Sequence, residues 1–143
     1  MRNLFIKEKI KNFIREYSSC EINRYWYPLV ELKKDIDVSA YDIDKIYSNG
    51  DVLLLKTVLK KCNITSVNMF QMDHSEFFEN EDIDLLLYEK YENKFVFPYV
   101  TETFYYDSTK SWLVYVSHEE TICFTGEKLV KIAKDIIPDN YKY

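Results

Sequence analysis

The chain of 143 residues carries 24 acids against 19 lysines and arginines, a formal net charge of −5, and is 47% apolar and 17% aromatic. That apolar share belongs to a folded globule, and the length suits one domain spanning 1–143. With only two glycines, Gly50 and Gly126, no glycine-rich phosphate loop can be built, which excludes P-loop and dinucleotide-binding chemistry.

Cys20, Cys62 and Cys123 are odd in number and widely spaced, as reduced cytosolic thiols are. Charges interrupt the apolar residues of Met1 to Ile10, unlike a secretory signal, and no run approaches the roughly 18 apolar residues of a membrane span. The expectation is a cytoplasmic protein with no membrane partner.

In chain order, Ile10, Phe13, Ile14 and Tyr17 recur at i, i+3, i+4, i+7 and predict an amphipathic helix over 3–17. Pro28 could open a short helix after Tyr25-Trp-Tyr27. Ser39 to Asp42 resembles a capping pair for a segment bearing Ile43, Ile46 and Tyr47, and Ser48-Asn-Gly-Asp51 reads as a turn. Leu55, Val58, Leu59 and Cys62 predict another helix, closed by Lys60 and Lys61 and by Asn63 as a left-handed stop. Thr65 to Met72 reads as a strand, and Ser75 as the cap of a turn carrying Phe77 and Phe78. Residues 82–91 fit a helix through Ile83, Leu86, Leu87 and Tyr91, with Leu85 to Tyr88 equally readable as a buried strand. Phe95 to Pro98 is a further apolar piece suited to a sheet edge.

From Val100 the period changes to two. Val100 to Asp107, Trp112 to Ser117 and Thr121 to Thr125 are rich in β-branched and aromatic residues and are joined by short polar connections, the pattern of an antiparallel meander. Leu129, Ile132, Ala133 and Ile136 then form one helical stripe ended by Pro138. The fold class expected is α+β: an antiparallel β-meander of about three to five strands packed against N-terminal helices and a C-terminal helix.

Charge is distributed unevenly. Between Asp73 and Glu92 lie eight acids and one base, Lys90, a net of seven negative charges, so the remainder of the chain is positive by two. Such a band disfavours nucleic acid, which needs local cations, and favours a basic protein partner. Glu76, Glu79, Glu81, Asp82 and Asp84 are therefore candidate partner-binding residues. Thirteen tyrosines and two tryptophans add polar-tipped aromatics of the kind enriched at interfaces, among them Tyr105 and Trp112. An A+T-rich genome would raise the tyrosine count equally well.

Catalytic constellations are weak. The two histidines, His74 and His118, lie in acidic stretches without the paired spacing of a zinc site, and a metal could be assembled only from distant residues such as Cys123, His118 and His74. Cys123 or Ser117 could act with His118 as a nucleophile. Glu102, Asp107, Glu119 and Glu120 could converge around the meander for acid–base work or a divalent cation. Each also has a plain reading, as a buried thiol or as the solvated carboxylates of a hairpin. No catalytic residue, metal or cofactor is expected.

The run Trp112-Leu-Val-Tyr-Val-Ser-His-Glu-Glu-Thr-Ile-Cys-Phe-Thr-Gly126, followed by a short helix, resembles the C-terminal half of small cytosolic proteins of low-GC Gram-positive bacteria. Some of these are similar to immunity proteins of polymorphic or contact-dependent toxin systems. The resemblance implies a non-enzymatic α+β inhibitor that neutralises a cognate toxin domain, often a basic nuclease, and a structural Ser117-His-Glu-Glu120 turn. Two alternatives stand beside it: a small enzyme using His118 with Glu102 or Glu119, and a homodimerising structural or regulatory module.

Overall fold

A computed structural model of the protein describes residues 12, 37–71, 76–83, 102–117 and 119–143. The helix expected over 3–17, the Pro28 segment, the body of 82–91 and Phe95 to Pro98 lie outside the described residues.

The elements run β1 (Val38–Asp42), α1 (Ile43–Ser48), α2 (Leu53–Lys61), β2 (Ser66–Gln71), β3 (Glu76–Asp82), β4 (Thr103–Tyr106), β5 (Leu113–Val116), β6 (Thr121–Thr125), α3 (Glu127–Ile136) and a 3₁₀ turn (Asp139–Tyr141). The strands form one antiparallel sheet in the order β1-β6-β5-β4-β2-β3. The α+β arrangement and the β4-β5-β6 meander match the sequence pattern. The sheet is wider than the meander because β2, expected as a strand, and two segments not expected as strands join it.

The first is β1. Ser39 does not cap a helix but lies in a strand, with Phe124 as its register partner. The cap is Asp42, whose carboxylate accepts from the Lys45 amide at 3.1 Å and so satisfies one of the unpaired donors of α1. The second is β3. Phe77 and Phe78 do not ride on a Ser75-capped turn but pair with Phe70 and Met69 of β2. Asn63 does stop α2, with a φ of 61°.

Alternation sorts the sheet into two buried faces. Val67, Met69, Tyr105, Val114, Val116, Ile122, Phe124 and Tyr41 share a core with Ile43 and Ile46 of α1, Leu55, Val58 and Leu59 of α2, and Leu129, Val130 and Ala133 of α3. Burying each such side chain contributes about 1.5–3 kcal/mol. Across the sheet, the register aligns Phe70, Phe104, Tyr115, Cys123 and Ala40 in one row. Phe104 stacks on Tyr115 at 4.7 Å between centroids and on Phe70 at 6.4 Å. β5 and β6 are buried at every residue, so Leu113 to Val116 and Ile122 to Phe124 are apolar without the polar alternation of a half-exposed strand.

Gly126 joins β6 to α3 at φ 106°, and a Cβ there would sit 2.8 Å from the Ser111 carbonyl oxygen. Only glycine allows the β4–β5 hairpin to approach the start of α3 so closely.

Candidate protein-docking edge

Among the described residues β3 is the outermost strand on its side of the sheet, and four of its seven residues are acidic. Val67 pairs with Glu81 and Met69 with Phe78, so Glu79 and Asn80 together oppose the single residue Asn68, a β-bulge on β3. The bulge changes the alternation, so that Glu79 and Asp82 are exposed and Glu81 is half-buried. Glu76 ends the ladder opposite Gln71. These four of the five candidate acids thus lie on one edge strand, and Asp84 lies outside the described residues. The Glu79 charge reaches inward: together with burial, the larger cause, it pushes the phenol of Tyr106 on β4 up to about 12.

The two aromatics expected at the surface are inside. Tyr105 is fully buried in the helix-side core, because its position on β4 shares a face with Val114 and Met69. Trp112 is 5% exposed, and its indole N–H donates to Asp107 Oδ2 at 2.8 Å. With its polar tip satisfied internally, it closes the hairpin and offers a partner almost no area. Tyr105 and Trp112 are accordingly not the exposed aromatics expected from the sequence.

Nor do the meander carboxylates converge. Glu102 is fully buried and accepts a hydrogen bond from the Tyr115 hydroxyl. Asp107 lies at the far end of β4, where Oδ1 accepts from the Thr109 amide at 2.9 Å and from the Thr109 hydroxyl. Glu119 and Glu120 are exposed in the β5–β6 turn. That turn is held by Ser117, whose hydroxyl bonds Thr121 Oγ1 at 2.8 Å and accepts from the Glu119 amide at 3.1 Å, while Glu120 adopts φ 63°. His74 and His118 lie outside the described residues, and among those described no three His, Cys, Asp or Glu side chains gather as metal ligands.

Cys123 is fully enclosed, so the back of the sheet does not expose it, and burial pushes its thiol well above the ordinary range. A thiolate, the reactive form, is strongly disfavoured there. Cys62 is half-buried, its thiol raised by burial against the opposing influence of Lys128.

One feature without a sequence motif is a cleft of about 720 Å³ between the end of α2, the β4–β5 hairpin and the start of α3. Its rim carries Lys128 and Lys131 against Asp107 and Glu127, so its charges balance and select neither sign. Only Gly126, with its close approach to Ser111, hinted that backbone segments meet there. No helix among the described residues is long and apolar enough to cross a membrane. Comparison with family models, with curated proteins and with solved structures gives no match.

Proposed function

We propose that the chain is a toxin-neutralising immunity protein, a non-catalytic inhibitor that binds a basic toxin domain, a nuclease being the natural case, through the acidic edge of its sheet. The observation that carries this reading is the concentration of Glu76, Glu79, Glu81 and Asp82 on the outermost strand. Pairing with β2 fixes the backbone positions from which these carboxylates project, so their charges stay grouped along one edge. Their summed field accelerates encounter with a cationic surface and repels anions. A nuclease groove, built to hold phosphates, offers such a surface.

Co-expression tests it. The wild-type chain should co-purify with a basic toxin domain encoded beside its own gene and protect cells that make that domain. Glu79→Lys, Glu81→Lys and Asp82→Lys together should abolish protection and complex formation while leaving circular dichroism unchanged. Full protection by a folded triple variant would remove β3 from the account. Failure of the wild-type chain to bind or protect would overturn the reading.

A further inference from the structure

The opposite edge of the sheet is closed by the chain itself. Beyond α3, Ile137 (2% exposed) enters the core, Pro138 turns the backbone, and the 3₁₀ turn carries Tyr141 back over α1. Tyr141 is buried, and its hydroxyl donates to Asp51 Oδ2 in the α1–α2 turn. Lys142 then bridges Tyr41 in antiparallel fashion, and the Tyr143 amide donates to the Ala40 carbonyl at 2.9 Å. Lys142 and Tyr143 thus cover part of the outer edge of β1 with a single bridge.

We infer that residues 139–143 are a latch over a strand-pairing surface on β1, and that the surface, once uncovered, pairs with β1 of a second copy of this chain. The Ala40 carbonyl bonded by Tyr143 points away from β6, so Ala40 presents its peptide groups outward, as an edge strand does. β1 has neither bulge nor cluster of charge to discourage pairing; its sequence Val-Ser-Ala-Tyr-Asp carries one charge, at its end. Antiparallel pairing of two copies about Ala40 sets Val38 against Asp42 and brings no like charges face to face. The other edge cannot do this, since two β3 strands would oppose four acids with four and interrupt the ladder at each bulge. A twofold β1–β1 contact is therefore the closed assembly that the sheet permits.

The latch is anchored by the buried Tyr141, and Lys142 and Tyr143 beyond it are exposed, so it opens at lower cost than the fully buried strand β6 beneath it. Light scattering across a concentration series compares the full chain with one lacking residues 139–143. The truncated chain should self-associate at least about tenfold more tightly than the full chain. Adding Ala40→Pro, which removes an outward-facing donor on an edge strand, should reverse that gain. A folded truncated chain that associates no more than the full chain overturns the inference, as does association unaffected by Ala40→Pro. Should truncation prevent folding, Tyr141→Phe in the full chain decides. Loss of the anchoring hydrogen bond should speed hydrogen exchange at the Tyr143 amide by about fivefold, and unchanged exchange there refutes the latch.

Discussion

Among the described residues β1 and β3 bound the same sheet, yet β1 carries one charge in five residues and β3 four in seven. Both face the hazard that an unpaired row of amides and carbonyls templates another strand. β1 meets it with the chain's own residues 142 and 143; β3 meets it with acids and a bulge. The solutions differ in what they leave accessible. A covered edge is closed to every partner while its cover stays down, whereas a charged edge rejects strands of its own kind and stays open to a surface of opposite sign. On the proposed reading, the carboxylates of β3 guard the sheet and select a partner at once, with no extra residues required.

The sharpest way to break the difference is to remove what positions β1. Phe124 on β6 is fully buried and meets the Tyr41 ring edge-on at 6.0 Å. Phe124→Ala should cost about 3–5 kcal/mol, the range for a large core side chain replaced by alanine. In a chain still folded, the loss should appear in hydrogen exchange on the β1 side before it appears at β3. Equal acceleration at both edges would mean that the sheet opens as one unit and that the edges are not independent.

A smaller effect is expected at the joint between β1 and α1. Asp42 is at once the last residue of the strand and the cap of the helix, so Asp42→Ala removes the acceptor for the Lys45 amide. The cost should be about 1 kcal/mol in chemical denaturation, with a lower midpoint and an unchanged denaturant slope. Because the latch also leans on α1, exchange at the Tyr143 amide should rise with it. A stability equal to wild type would show that the cap is dispensable once β1 is paired.

Asp42 also shows where sequence reading stopped. In sequence Ser39 to Asp42 resembles a capping pair, because β1 alternates around small residues and has no long apolar side to show its period; in the structure Asp42 alone is the cap. The strand exists through pairing with β6, 80 or so positions away, which local propensity does not encode. In β4, β5, β6 and α3 the pattern was explicit, since each must bury β-branched or aromatic residues and the connections are short. The acids of β3 were legible as charge but not as an edge: strand order depends on long-range pairing, and the bulge that exposes Glu79 leaves no local mark. Tyr105 and Trp112 misled because composition counts polar-tipped aromatics without showing which way they face. Both faces of this sheet are buried, so its aromatics pack inside.

The subtlest expected effect reports on the acidic edge from within. Tyr106 owes its raised pKa of about 12 first to burial and second to the negative field of Glu79. In the unfolded chain it titrates near the ordinary tyrosine value of about 10. Between these values the unfolded chain has released the proton and the folded chain holds it, so this group's contribution to stability falls as pH rises through that window and is complete below it. Glu79→Gln removes only the second cause. The Tyr106 titration, followed by ring carbon resonances with Tyr106→Phe to assign the signal, should move downward but stay above the ordinary value. A cation docked against β3 would neutralise the same charge and shift Tyr106 in the same direction, without any substitution. An unmoved titration in Glu79→Gln would show that the side chain points away from the sheet, and the charged edge would then have to act through Glu81 and Asp82 alone.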